Sequence, residues 1–245
     1  FMNSVCMCIR TFLRDCFLST VGTFKRPSPY VHILNGHMVD WHHDNVVDGE
    51  RFARQLAKLH QYCDFVNIED AVRIVVNQEK VSRPKVAFTF DDGWRDCYTQ
   101  IAPQLDKYGV NAMFFINPNF TDAADKGDEA YIENFTVNTT KSPGKHPMTW
   151  QQIRVLQKKG YLFGAHTLDH YCINDDNVTE LEHQIVDCRK VMEERLGVPC
   201  EYFAFPYGRL EHANPLSIDI ACKNYKYVFS CLLYTSPSPR DYAAS

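Results

Sequence analysis

Val86-Ala87-Phe88-Thr89-Phe90-Asp91-Asp92-Gly93-Trp94 decides how the rest of the chain is read. Five residues with β preference run straight into two adjacent carboxylates and a glycine. A near-continuous apolar run of this kind fits a strand buried on both faces, as in a parallel sheet. The C-terminal ends of parallel strands are where such sheets and barrels carry their chemistry. Two neighbouring Asp side chains there are costly to bury unless each meets a positive partner, a metal or solvent. Taken alone, the end of the run also fits a plain Asp-Gly turn. Its weight depends on what surrounds it.

Upstream, Val31-His32-Ile33-Leu34 reads as a short strand ending at Asn35-Gly36, with His37 just beyond. Phe52, Leu56, Leu59 and Cys63 fall at helical spacing, and Asn67 is the expected cap of a second helix carrying Ile68, Val72 and Val75. Downstream, Tyr98, Ile101, Leu105 and Tyr108 form a helical face closed by Gly109. Further strands are expected over 110–116, 161–165, 202–205 and 227–231. Capping-box patterns open helices at Thr149 and Thr179, and Gly160 and Gly197 close them. The second of these carries Leu181, Ile185, Cys188, Met192 and Leu196 on one stripe. About six strands alternating with helices predict parallel pairing and right-handed crossovers, hence one α/β domain. The stretch 117–147 is polar with few periodic apolar positions and reads as a long loop.

The 245 residues, 45% hydrophobic and 23% charged, suffice for one sizeable core. A net charge of −4 without a basic block gives no footprint for nucleic acid. No stretch approaches a membrane span. Arg10, Arg14 and Asp15 interrupt the apolar N-terminus, so no signal-peptide core is visible; this favours a cytoplasmic location, with action outside the cytoplasm the open alternative. Ten cysteines are scattered without a Cys-x-x-Cys, which predicts buried reduced thiols. Residues 1–29 read as an N-terminal extension and 30–231 as the domain. Residues 232–245, with Tyr234-Thr235-Ser236-Pro237-Ser238-Pro239, carry no element signal. They fit a translated adapter-like foreign tail or a natural disordered end. Six strands are few for a closed barrel, so a native chain continuing past about Leu232 is expected.

His166-Thr167-Leu168-Asp169-His170 follows another expected strand. Two His four apart on one side of a helical turn can reach one ion, and Asp92 can supply a third ligand. Two His and one Asp with an open position form the pattern of a catalytic zinc-type site, not of a closed structural one. A lone His-x-x-x-His is a weak signal, and the Asp-Asp-Gly strand end raises it. A third strand end, Phe203-Ala204-Phe205-Pro206-Tyr207-Gly208, reads alone as a strand followed by a turn, and its proline and glycine can also set a fixed loop that aims a backbone N–H.

Thr89-Phe90-Asp91-Asp92-Gly93, His166-Thr167-x-x-His170 and Phe205-Pro206-Tyr207-Gly208 together resemble the first three motifs of the polysaccharide deacetylase (NodB-homology) family, carbohydrate esterase family four. The resemblance covers about residues 30–231. It implies a distorted (β/α) barrel that removes acetyl groups from N-acetylated sugars of a polysaccharide or oligosaccharide. It implies a divalent metal held by Asp92, His166 and His170, with zinc as the default and cobalt, nickel or iron fitting similar ligands. It implies Asp91 as general base, Thr167 as the residue holding the ligand loop, and the Tyr207 backbone N–H as oxyanion donor.

Two features depart from the family pattern. Many members carry an Arg where this chain has Ala204, and that Arg pairs with the base. Members also take a general-acid His from a late strand, and none follows His212 here. Some relatives are circularly permuted, with that strand leading the chain. On that pattern Ile33 to Val39 is the leading strand and turn, and His37 is the acid, oriented by Asp40; a plain loop histidine is the competing reading. Trp94 and Trp150 fit either a sugar-stacking wall or the core, and Trp41 is the better groove candidate. The sugar rests on the resemblance alone. Two alternatives stand beside it: a metal-assisted hydrolase of a cyclic imide or other non-sugar amide, and an inactive carbohydrate-binding relative.

Overall fold

Lys85–Phe90 forms strand β3, and every residue after Lys85 is buried. The computed structural model describes residues 27–39, 46–208 and 210–230. Strand β1 (Val31–Gly36) lies parallel along the whole length of β3, from Val31 opposite Lys85 to Gly36 opposite Phe90. The other edge of β3 is shared: β2 (Asp64–Phe65) pairs with its start and β4 (Met113–Ile116) with Thr89 and Phe90. Strands β5 (Leu162–Ala165), β6 (Tyr202–Phe205) and β7 (Tyr227–Ser230) continue the sheet in the order β1-β3-β4-β5-β6-β7. Every pair is parallel. The six expected strands are present, and β2 is a seventh. Its two residues are too few to show a period, and Cys63, expected on the preceding helix, lies beyond it, buried in the turn.

Alternation splits the sheet between two cores. Val86, Phe88, Phe90, Phe114, Ile116, Ala165 and Phe203 belong to the larger one, with helix residues such as Leu56, Ile101, Ile153 and Ile185. Ala87, Met113, Phe115 and Ala204 face the smaller one, closed by Ile68, Ala71 and Val72 of helix α2 (Ile68–Val76). Thr89 and Asp91 share the odd-numbered side of β3 with Ala87, so that side ends in the carboxylate. At the centre of β5 stands Gly164, where a Cβ would meet the ring of its register partner Phe115 at 2.6 Å.

Helix α1 (Val46–His60) precedes α2. Asn67 does stand at the cap of α2, but its side chain makes no cap bond to that helix. Its Oδ1 accepts from the Asn111 backbone N–H, while Asn111 Oδ1 accepts from Ile68 N–H, an exchange that ties α2 to the turn before β4. The capping box at Thr149 opens its helix, Trp150–Lys158, as expected. The box at Thr179 does not: that helix, Val178–Glu182, is capped by Asn177, whose side chain accepts from Glu180 N–H. Asn is the stronger cap of the two. The stripe from Leu181 to Leu196 is buried throughout.

The stretch 117–147 is not a loop. It holds helices Pro118–Lys126 and Glu129–Asn134 and a π-turn, Phe135–Thr139. Phe120 and Phe135 stack at 3.9 Å between centroids, and Trp94 packs edge-on against Phe120 at 5.2 Å. Each element is too short to display a helical period, yet together they wall the core beside β3. Trp94 and Trp150 are both fully buried, so neither is a sugar wall. Lys145 is also without exposure, its Nζ 2.6 Å from Asp96 Oδ1, and Val39 N–H donates to the other Asp96 oxygen. That ion pair joins the segments after β1, after β3 and before Trp150.

The described cysteines Cys63, Cys97, Cys172, Cys188, Cys200 and Cys222 are all free. No helix among the described residues is long and apolar enough to cross a membrane. Asp40, Trp41, residues 1–26 and the stretch 231–245 lie outside the described residues, and with them the readings placed there.

Candidate metal and hydrolytic site

The end of β3 makes a sharp turn. Asp91 N–H still donates to Gly36 O at 2.9 Å, extending the strand ladder by one bond. Asp92 and Gly93 then take φ of +68° and +74°. Asp tolerates this left-handed region better than most residues. At Gly93 a Cβ would stand 2.8 Å from Ile116 Cδ1, so both the backbone and the space call for glycine. The turn holds the Asp92 carboxylate inside, at 1% residue exposure.

Asp92 Oδ2 accepts from the Trp94 indole N–H at 3.0 Å. Its Oδ1 has no hydrogen-bond partner and faces His170 Nε2 at 3.3 Å and His166 Nε2 at 3.6 Å. Burial opposes ionisation of Asp92, but the surrounding imidazoles and the indole N–H outweigh it and hold its pKa below the ordinary value. Burial is also the largest influence on His170, whose pKa falls to about 4. At neutral pH the pair is therefore a carboxylate facing a neutral imidazole.

His166 follows β5 directly. Its Nδ1 lies 2.8 Å from Ala204 O. A carbonyl only accepts, so Nδ1 carries a hydrogen and Nε2 is the atom left facing Asp92. The loop to His170 is held on several sides. Asn117 Nδ2 donates to the carbonyls of His166 and Thr167. Thr167 Oγ1 accepts from Tyr171 N–H at 2.9 Å. Asp169 accepts from Asn119, Tyr131 and Gln184, which occupies it outside the ligand cluster. Thr167, His170 and Tyr207 all have positive φ, and such strain at non-glycine residues collects at working sites.

Asp91 is equally buried. Its Oδ2 accepts from Asn35 Nδ2 at 2.9 Å and lies 4.0 Å from His37 Nε2, while its Oδ1 is buried without a partner. Thus β1 brings His37 beside Asp91, and the His37 side chain keeps 39% of its surface in solvent. Beyond β6, the Tyr207 ring stands edge-on to His170 at 4.4 Å between centroids, half exposed. Ala204, where an Arg would match the family pattern, has its side chain in the smaller core. Asn35 carries a contact that its reading as a turn residue missed. Its contact depends on the β1–β3 register, which sets it opposite Thr89 and which no single stretch of sequence displays.

The three donor atoms of Asp92, His166 and His170 lie within 4.8 Å of one another. Ligands about 2.0–2.2 Å from a tetrahedral zinc stand roughly 3.3–3.6 Å apart, as His170 Nε2 and His166 Nε2 stand 3.3 and 3.6 Å from Asp92 Oδ1. The partnerless Asp92 Oδ1, the tautomer fixed at His166 and the neutral His170 all fit a divalent cation, and three protein donors leave a corner open.

Sheet and strand tips define the class: a curled parallel α/β half-barrel of the deacetylase (β/α) type. The chain belongs to the polysaccharide deacetylase family, whose sequence profile matches residues 78–222. It is 25% identical over 142 residues to YxkH of Bacillus subtilis (strain 168), a protein carrying the polysaccharide deacetylase name. That match takes in 58% of this chain and 43% of YxkH, so the chain spans less than half of that relative's length. Among solved structures, IcaB from Ammonifex degensii superposes with a TM-score of 0.65 at 20% identity, covering 88% of this chain and 95% of IcaB. The Streptococcus pyogenes deacetylase PplD, solved in complex with acetate, gives 0.59 at 20% identity, covering 82% and 83%. At these identities the two structures speak for the fold.

Proposed function

We propose that this chain is a metal-dependent hydrolase that removes the acetyl group from N-acetylated sugars of a polysaccharide or oligosaccharide. The observation that carries the reading is the pairing of two buried carboxylates with different settings. Asp92 faces two imidazoles, whereas Asp91 is anchored through one oxygen and presents the other bare. Asp92 Oδ1, His166 Nε2 and His170 Nε2 would hold the ion. A divalent cation there supplies Lewis acidity and lowers the pKa of water toward about 7; zinc suits this nitrogen and oxygen set.

The chain's own groups do the rest. Asp91 Oδ1 takes a proton from the water whose oxygen attacks the acetamide carbonyl carbon. The Tyr207 backbone N–H donates to the carbonyl oxygen as negative charge develops on it, a contribution of roughly 3–4 kcal/mol. His37 gives a proton to the sugar nitrogen as the C–N bond breaks, leaving acetate and a free amine. Between turnovers Asp91 gives up the proton it took and His37 regains one, an exchange through solvent that the solvent-facing position of His37, 4.0 Å from Asp91, suits.

The test is acetate release from N-acetylglucosamine oligomers by the zinc-loaded protein, run beside a cyclic imide and a ureide. The expected result is acetate from the oligomers, abolished by chelator and lowered about 100- to 10,000-fold by Asp91→Asn, the usual span of general-base catalysis. Turnover of the imide or ureide alone would replace the sugar reading. A zinc-loaded protein inert toward all three would remove the hydrolase.

A further inference from the structure

We propose that Asn35 is the positioning residue of Asp91, holding that carboxylate so that its second oxygen is the one offered to the reacting water. The inference rests on the reading of Asp91 as general base. Its basis is geometric. In the β1–β3 register Asn35 stands opposite Thr89, two residues before Asp91. Thr89 Oγ1 donates to Asn35 Oδ1 at 3.0 Å, and Asn35 Nδ2 donates to Asp91 Oδ2 at 2.9 Å. The order of donors is forced. An ionised carboxylate only accepts, so the amide must turn its NH₂ to Asp91 and its oxygen to the Thr89 hydroxyl. Thr89 is 3% exposed, so its hydroxyl is kept from bulk water as a competing partner.

The consequence is an asymmetric carboxylate. Oδ2 is fixed by a neutral donor reached through two adjacent strands, while Oδ1 is buried with no partner. Swinging Asp91 about its side-chain torsions would break the hydrogen bond from the Asn35 amide and exchange the two oxygens. The amide therefore selects which oxygen is basic toward the site. A strand-borne anchor is also stiffer than one on a loop, and small misplacements of a reacting group cost large factors in rate.

Four zinc-loaded proteins test this: wild type, Asn35→Ala, Thr89→Val and the double variant, each measured for kcat, KM and bound zinc. Asn35→Ala should lower kcat about 10- to 100-fold, the rate equivalent of one hydrogen bond to a charged group. KM and zinc content should stay at wild-type values, because Asn35 touches no ion ligand. Thr89→Val should have a smaller effect on kcat, and no further effect once Asn35 is Ala, since its hydroxyl acts through the amide. Unchanged kcat in Asn35→Ala, or single-variant effects that add, would overturn the proposal while leaving the hydrolase reading intact. The Asn35 side-chain amide resonance gives an arm independent of turnover. It should move in Asp91→Asn and in Thr89→Val even if no substrate is found. A resonance that stays put in Asp91→Asn would overturn the positioning role.

Discussion

Replacing Trp94 by Phe removes one hydrogen bond from Asp92 and little else that is polar. The indole N–H donates to Asp92 Oδ2 at 3.0 Å, and the other carboxylate oxygen already lacks a hydrogen-bond partner. Without the indole, both oxygens of a buried anion are bare. A hydrogen bond to a charged group contributes about 1.5–3 kcal/mol. A side chain smaller by roughly 40 Å³ adds about 1 kcal/mol for the space left against Phe120 and Phe135, at about 24 cal/mol per Å³. The metal-free Trp94→Phe protein should therefore be less stable by about 2.5–4 kcal/mol, which lowers Tm by roughly 5–15 °C in a domain this size. The bond also orients the carboxylate that the proposed function assigns to the ion, so on that proposal zinc affinity should fall about 10- to 100-fold. Differential scanning fluorimetry of chelated protein and zinc competition with a chromophoric chelator at pH 7 read the two quantities. A lower Tm with zinc affinity within about threefold of wild type would make the indole a packing group and not a support for the Asp92 carboxylate.

His37→Ala should lower kcat by about 100-fold or more while zinc content stays at wild type, as judged by steady-state kinetics and metal analysis; full turnover would return His37 to a plain loop histidine. Lys145→Met removes the cation 2.6 Å from Asp96 Oδ1 and should cost about 3–5 kcal/mol in urea unfolding, since both groups are fully buried. A change under about 1 kcal/mol would show that another partner carries Asp96. The depressed pKa of His170 fixes a pH response of the metal-free protein. Above about pH 6.5 the ring is neutral folded and unfolded, so it contributes nothing. As pH falls from 6.5 to about 4 only the unfolded chain gains the proton, and stability is lost across that window. Chelated His170→Gln should show a flatter Tm against pH over the same range; a parallel curve would assign the loss to other groups.

What was legible follows from where the information sits. The Asp91-Asp92-Gly93 turn, the His166 segment and the Pro206-Tyr207-Gly208 turn each hold their proposed chemistry within a few consecutive residues, after strands long enough to show as apolar runs. The donor set of Asp92, His166 and His170 was readable for that reason. Asn35 was not, because its meaning is a pairing with Thr89 across two strands, 54 residues apart. The helices of 117–147 were missed because each offers only a turn or two of apolar positions, such as Phe120 with Ala123, and Ile132 with Phe135. The same omission left Trp94 with no visible core to enter, and so kept it among the sugar-wall candidates. At Asn177 the cap lay one residue before its helix, and a later box-like pattern at Thr179 drew the boundary inward.

The most direct measurement is an anomalous-scattering map at the zinc edge from crystals of the zinc-loaded protein. The account predicts one peak about 2.0–2.2 Å from Asp92 Oδ1, His166 Nε2 and His170 Nε2, with Asp91 outside bonding distance and the fourth corner free of protein. No peak there, or an ion closed off by a fourth protein ligand such as Asp91, would contradict it.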